Sequence, residues 1–385
     1  MSRSPKADIR IERVTTKKSL NQFINMPRHI YKDDPAWIAP LKFERMGVLD
    51  KKSSPYFEHA KAEYWLAWRD GKVVGRVTAQ VDELAQKHQG AGTGHFGLIE
   101  AEDDPAIFAA LFKAAEDWLR DQGMTRILGP FNLSINEEAG LLVDGFEHPP
   151  RILMSHARPY YGPRLEELGF ETAQNLIAFD LNIVEDFPER TQRILAKAAI
   201  NKHLRMRPID KKNLESELML FIDIFNDAWS ENWGFVPFTE NEIRKMGDDL
   251  KLILRPEICQ IAYWDDEPAA FMITLPDLNT AIADMDGKLF PFGWVKLLNN
   301  LILHTPKRAR VPLMGVRKKY QSHVSGALMS LSLISICRNN CRDLYDIEQG
   351  ELSWILEGNI AMRNMLLSIG CEEYKTYRVY EKPLA

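Results

Sequence analysis

Hydrophobic and polar positions along the chain change period repeatedly, and each change predicts an element. Residues 8–16 (DIRIERVTT) alternate with period two, the spacing of a half-buried strand. A polar and aromatic stretch, SLNQFINMPRHIYKDDPAWIAPL, follows with helical spacing. AEYWLAWR and KVVGRVTAQV are β-rich runs joined by Asp70-Gly71, which predicts a tight hairpin. GTGHFGLIEAE reads as the next strand. PAIFAALFKAAEDWLRDQG predicts a helix, with Pro105 in its first turn and Gly123 at its C-terminal end. TRILGPF predicts a short buried strand, PRLEELGF a short helix, and NLIAFDLN a closing strand.

The same order then returns. LRMRPID predicts a strand and ESELMLFIDIFNDAWSENW a helix. In PFTENEIRKMGDDLKLIL, Thr239 stands three residues before Glu242, the spacing of a capping box. ICQIAYW and PAAFMITLP form a hairpin across Asp265-Asp266-Glu267. FGWVKLLNNLILHT (292–305) is an apolar helix and ARVPLMGV a strand. GALMSLSLISICRNNC is a helix, LYDIEQG a strand, EGNIAMRNMLLSIG a helix and YKTYRVYEK a last strand. The repeated order predicts an α/β protein with mixed sheets and a duplicated architecture. Its expected domains are residues 1–183 and 207–385, with 184–206 as connector.

Composition narrows the class. The chain has 385 residues, long enough for two cores. Its net charge of −5 argues against a nucleic-acid partner. No apolar run has the length of a bilayer span, and MSRSPKADIRIERV lacks the apolar core of a signal peptide. The expected location is the cytosol or a membrane surface facing it. Cys337 and Cys341 share a helix face, but no second ligand pair accompanies them. Buried reduced thiols, and no metal, are the expectation.

The element order resembles the GNAT acyltransferase fold, here as two tandem GNAT-like domains. That resemblance implies acyl-CoA as co-substrate, its pyrophosphate resting on backbone N–H groups at a helix N-terminus. The family motif is Arg or Gln, two residues, Gly, one residue, then Gly or Ala. The C-terminal half carries Gln321-Ser322-His323-Val324-Ser325-Gly326-Ala327 after Met314-Gly315-Val316. Gln321 and Gly326 match; Val324 departs from the first glycine. The resemblance thus assigns cofactor contact to Val316, Arg317, Gln321, Ser322, Val324, Ser325, Gly326 and Ala327, with Lys318 and Lys319 alongside. Asn359 and Gly370 match the next helix, whereas Leu366 stands where the family places a Tyr acid. The corresponding N-terminal loop is Glu100-Ala101-Glu102-Asp103-Asp104-Pro105. Four carboxylates there disfavour a pyrophosphate, so this half is expected to be a degenerate copy.

A narrower likeness lies in GPFNLSINEEAGLLVDGF (129–146), FNDAWSENWGFVPFT (225–239), ELSWILEGNIAMRNM and YKTYRVYEK. These strings resemble the family that includes bacterial ceramide synthases. The resemblance implies fatty acyl transfer from acyl-CoA to the amine of a sphingoid base, sphinganine or 3-oxosphinganine. An amine must be neutral to attack, so a nearby base is needed. Glu351, Glu348 and His323 are the candidates, each with an alternative as a solvated or structural side chain. Asn226, Trp229, Asn232 and Trp233 form a polar and aromatic cluster expected to cover a lipid acceptor, or to pack between helices. Asn132 and Asn136, within a run that includes Ser134 and Glu138, are expected to shape the acceptor site. Tyr377 and Tyr380 on the last strand are candidates to replace the missing acid, packing being the alternative. Arg190, Arg193, Lys197, Lys202, His203 and Arg205, with Arg207 just past its end, make the connector basic, which suits peripheral contact with an anionic membrane. Two other readings remain open: N-acylation of a small soluble amine, and non-catalytic acyl-CoA or lipid binding. The apolar 292–305 helix favours a long chain.

Overall fold

The computed structural model describes residues 8–302 and 306–384. Its strands in chain order are β1 (Arg10–Arg13), β2 (Ala60–Arg69), β3 (Lys72–Asp82), β4 (Thr93–Ala101), β5 (Arg126–Gly129), β6 (Leu141–Asp144) and β7 (Glu171–Asn182). They continue as β8 (Leu204–Pro208), β9 (Cys259–Trp264), β10 (Glu267–Pro276), β11 (Arg308–Val316), β12 (Gln349–Leu356) and β13 (Glu372–Pro383). Both expected hairpins form through two residues at positive φ. Asp70 and Gly71 (φ 49° and 72°) join β2 to β3, and Asp265 and Asp266 (49° and 63°) join β9 to β10. That backbone matches the right-handed twist of the strands it connects. The helix expected over 292–305 runs Gly293–Ile302, and residues 303–305 lie outside the described residues.

The chain forms two units. The first comprises Met1–Leu176, Met285–Leu289 and Lys375–Ala385; the second comprises Ile177–Asp284 and Phe290–Tyr374. Element order by itself suggests contiguous blocks. The folded units instead divide β7 at Leu176 and take most of β13 into the first unit. Met285–Leu289 is tied there by Arg28, which donates to the Asp286 carboxylate (3.1 Å) and carbonyl (2.6 Å).

In the first unit the strand order is β1-β2-β3-β4-β5-β13, with β6 also on β13. Only β4 and β5 run parallel among these pairs. The helix Pro105–Asp121 buries Ile107, Phe108, Leu111, Phe112, Ala115 and Leu119, spaced at three and four residues. It packs so closely on β3 that a Cβ at Gly75 would meet Leu111 Cδ1 at 2.8 Å. Phe96, Phe112 and Phe170 close the core with ring centroids 5.0–5.3 Å apart.

In the second unit the order is β7-β12-β11-β10-β9-β8, and here β11 and β12 are parallel. Its core joins Ile177, Phe179 and Leu181 to Leu333, Ile334 and Cys337 of the helix Val324–Tyr345. All four cysteines are buried and reduced, and burial pushes the Cys259 and Cys371 thiols up to about 12.

His95 on β4 gives the fold a pH dependence. It is buried against the Phe131 ring, with Nε2 2.8 Å from Gln89 Oε1. Burial lowers its pKa to about 4. As pH falls below about 6.5, the unfolded chain takes up a proton that the folded chain refuses. Stability should drop by about 1.4 kcal/mol per pH unit, about 3 kcal/mol in all, between pH 6.5 and 4, with no contribution above that range. Urea titrations of wild type and His95→Gln should show the shallower pH slope in the variant. Equal slopes would remove His95 as the source.

Candidate active site

A proline inside a strand opens the site. Pro312 of β11 has no N–H for a ladder. Against β10 the register slips there: Leu275 faces Arg310, but Ile273 faces Leu313, so β11 carries one extra residue. A bulge of this kind bends and twists its strand. On its other edge β11 pairs with β12 from Arg308↔Gln349 to Val311↔Leu352, and pairing then stops. Both strands continue, to Val316 and Leu356. Residues 309–311 and 350–353 are buried, whereas 312–314 and 354–356 are half-buried. The unpaired stretch between the two strands, where this fold places its cofactor, is the candidate cleft.

Glu351 sits at the closed end of this cleft. The sequence predicts a strand at LYDIEQG, with Glu351 just past it; instead the preceding helix runs to Tyr345, and Asp346 ends it at φ 54°. The strand begins at Gln349, so Glu351 lies within β12, fully buried, opposite Arg310. Its Oε1 accepts from Ser353 Oγ at 2.5 Å and lies 3.4 Å from Arg310 Nε. Arg310 Nε also donates to Ser353 Oγ (2.7 Å) and Nη2 to the Ser353 carbonyl (3.1 Å). The Tyr374 hydroxyl donates to Glu351 Oε2. Glu348 is elsewhere: an exposed side chain paired with Lys307 at 3.1 Å.

At the open end the helix Val324–Tyr345 begins. His323 is its N-cap residue and offers no side-chain cap, and Val324 is 84% exposed. Ser322, His323 and Ala327 are exposed and Ser325 half-buried. A 22-residue helix with no side-chain cap presents N–H groups and the positive end of its dipole. Gln321 braces the turn by donating to the carbonyls of Val316 (2.8 Å) and Ala228 (3.0 Å). Gly326 is required for packing: a Cβ there would stand 2.2 Å from the Tyr320 carbonyl oxygen. The basic residues before the loop are not free cations. Arg317 pairs with Asp223, Lys318 with Glu231 (2.5 Å) and Lys319 with Glu267. Asn359 caps its own helix, accepting from Met362 N at 3.1 Å.

An aromatic wall covers the cleft. Trp229 ends the helix Leu214–Trp229 and donates its indole N–H to the Met314 carbonyl of β11 (3.0 Å). The same ring meets Trp354 of β12 edge-on at 5.6 Å. Trp229 therefore reaches both diverging strands. Phe225 stacks behind it at 5.3 Å and contacts Phe235 and Phe238. Asn232 and Trp233 are half-buried in the following turn. On the same helix, Asn226 Oδ1 is buried without a hydrogen-bond partner.

The first unit repeats the geometry and then fills it. β4 also carries one extra residue against β3, between Arg76↔Glu100 and Thr78↔Gly97, beside its short parallel ladder with β5. There the chain's own residues occupy the gap. Phe131 N donates to the Phe96 carbonyl (2.8 Å), and Leu98 N to Asn132 Oδ1 (2.7 Å). Gln80 Nε2 holds the carbonyls of Phe131 and Leu133. A Cβ at Gly97 would stand 1.8 Å from Phe131 O. The helix start is taken too, since Asp104 accepts from Ala106 N (3.0 Å) and pairs with Arg69 (2.9 Å). Glu100, Glu102 and Asp103 are bound by Tyr161, His29 and Arg164 respectively, each at 2.7 Å. Asn136 N donates to Ser134 Oγ within the same loop. Tyr377 and Tyr380 are fully buried in this unit.

Over 382 residues the chain is 45% identical to the bacterial ceramide synthase of Caulobacter vibrioides, covering 99% of each. The chain belongs to the bacterial ceramide synthase family. Protein YghO of Escherichia coli K12 is 44% identical over 369 residues, 96% of this chain and 94% of that one. No protein-family model matches. Among solved structures, a tandem GNAT protein from the clavulanic acid biosynthesis pathway aligns over 98% of this chain and 99% of its own, with a TM-score of 0.59 at 12% identity. A GCN5-related N-acetyltransferase from Sphaerobacter thermophilus aligns over 98% and 96%, with a TM-score of 0.54 at 10% identity. These structural likenesses establish the tandem GNAT fold. This ceramide synthase family member is thus an acyltransferase enzyme of a fold whose enzymes use acyl-CoA. Among the described residues, no helix is long and apolar enough to cross a membrane.

Sequence reading missed Pro312, Arg310 and Tyr374. Pro312 carried a signal, since proline within a strand marks an edge or a bulge. Arg310 and Tyr374 meet Glu351 only through strand pairing and chain return.

Proposed function

We propose that this protein transfers a fatty acyl group from acyl-CoA to the amine of a sphingoid base, giving a ceramide. The observation that carries this reading is the buried Glu351 cluster at the closed end of the β11/β12 cleft, under the Trp229–Trp354 wall. Acyl-CoA is the donor substrate, and its thioester supplies the activated carbonyl. The helix start at Val324 and Ser325, without a side-chain cap, suits the pyrophosphate, and the unpaired ends of β11 and β12 suit an extended arm.

The chemistry is aminolysis. The amine nitrogen bonds to the thioester carbonyl carbon, the C–S bond breaks, and its electron pair leaves on sulfur. The amine loses one proton, and the thiolate takes one. Glu351 is fully buried and both its oxygens accept hydrogen bonds from neighbours, so the proton path to it runs through a partner. Tyr374 is half-buried, donates to Glu351, and can accept a proton on oxygen as its own passes to the carboxylate. The reverse transfer would serve the leaving thiolate, the role open because Leu366 replaces the family Tyr. Arg310 and Ser353 hold the carboxylate in place. The aromatic wall suits an acyl or sphingoid chain better than a small polar amine.

The test is direct. Purified protein with palmitoyl-CoA and sphinganine, or 3-oxosphinganine, should release free thiol and form N-acyl product in equal amounts. Product only with soluble amines would replace the acceptor. Tight acyl-CoA binding with no turnover on any amine would favour a binding protein.

A further inference from the structure

The two units close the same hairpin-to-strand step very differently. In the first, β3 and β4 are joined by residues 83–92, with one short helix. In the second, β10 and β11 are joined by residues 277–307. The shorter link is sufficient for the fold, so the added segment serves another purpose. Its exposed side chains are unlike the rest of the surface. Fifteen large hydrophobic residues are exposed among those described, and five fall within nine residues: Phe290, Phe292, Trp294, Val295 and Leu298. The others are scattered, which is ordinary for a soluble surface. A cluster of this size, with Phe292 77% and Trp294 48% exposed, marks a contact surface.

We propose that this segment docks the protein on an anionic phospholipid bilayer by inserting the apolar face of the helix Gly293–Ile302 and its lead-in. Three features favour a bilayer. Residues 287–307 contain three lysines and no carboxylate, in a chain of net charge −5. Lys288 and Lys296 flank the apolar residues. Their partners, Asp286 (2.7 Å) and Asp284 (2.5 Å), are exposed pairs that lipid phosphate can replace. Tryptophan and phenylalanine prefer the depth of the lipid headgroups, with lysine reaching out to the phosphates. A second copy of the chain is less well matched, because two-fold pairing of this face would set lysines against lysines. Inserted this way, the protein reaches a lipid amine where that amine resides. The basic helix Glu189–Ala199 would add attraction at a distance, but its exposed apolar residue Ile194 is a small anchor.

The test uses the full chain and vesicles of phosphatidylcholine with phosphatidylglycerol, without any amine substrate. A wrong acceptor assignment therefore leaves the result untouched. Wild type should co-sediment with vesicles and remain bound at about 1 M salt, where charges are screened beyond about 3 Å. The combined variant Phe292→Ser, Trp294→Ser, Leu298→Ser should bind about 100-fold more weakly, given the apolar area lost. These positions are exposed, so its circular dichroism should match wild type. As a second reading, Trp294 fluorescence should blue-shift with vesicles, a change absent in Trp294→Phe. Undiminished binding by the triple variant would overturn the proposal. So would binding abolished by salt alone, which would assign it to the basic helix. A vesicle-indifferent protein whose dimer the variant dissociates would make the face an interface between copies instead.

Discussion

Glu351→Gln should lower kcat by about 10²–10⁴-fold while leaving acyl-CoA affinity nearly unchanged. The amide keeps the shape and some hydrogen bonds but cannot take the amine proton. Arg310 complicates the variant, because it faces Glu351 and is itself buried. Removing one partner of a buried pair costs about 3–5 kcal/mol of stability. The melting temperature must therefore be measured with the rate, and the rate read well below it. Tyr374→Phe separates the effects, because it deletes only the hydroxyl and keeps the charge pair. It should lower kcat by about tenfold to 100-fold and cost about 1–3 kcal/mol of stability, less than breaking the charge pair. Thiol release with palmitoyl-CoA and sphinganine gives the rates, and calorimetry gives the affinity. Full activity in folded Glu351→Gln would move the base to Glu348 or His323, both of which are exposed.

One acyl-CoA should bind per chain, in the second unit. The sequence suggests this through charge, four carboxylates against three cations. The folded chain gives a different reason. The carboxylates of the first unit are each engaged by internal partners, and Arg317, Lys318 and Lys319 are ion-paired as well. The decisive difference is occupancy. To admit a pantetheine arm between β4 and β5, the first unit must break the Phe96–Phe131 and Leu98–Asn132 bonds and those from Gln80. Each buried group left unpaired costs about 1–3 kcal/mol. Four such bonds weaken binding by roughly a thousandfold or more. Calorimetric titration with an acyl-CoA gives the stoichiometry. Two equivalent sites, or protection of residues around Phe131 on binding, would sink the assignment.

What the sequence could reveal follows range. Hairpins, caps and helix ends are local, and they formed where residue types demanded: Asp70-Gly71, Thr239 with Glu242, and Gly123 at φ 79°. The duplication was legible because it is an order of such local signals. The short strand β6 and the helix within the connector were not read. The site depends on register. Whether Glu351 is a surface carboxylate or a buried one turns on a helix ending at Tyr345 and a strand starting at Gln349. Ion-pair partners such as Asp223 for Arg317 come from 94 residues away, beyond any periodic signal. Gly326 matches a motif, yet its Cβ space is limited by the Tyr320 carbonyl, a packing constraint set by the folded turn.

The division of β13 bears on how the protein is made. The strand that pairs with β5 and β6 to finish the first unit leaves the ribosome only after the whole of the second unit has been made. Until then β5 has an open edge, and the pocket for Tyr377, Val379 and Tyr380 is empty of them. The first half synthesised is thus the last completed, and the usual vectorial order of domain folding is reversed here. An open strand edge is a template for pairing with other chains. During translation that edge calls for either a chaperone or fast elongation through the second half. Splitting the gene between the two repeats would leave the first product without its closing strand.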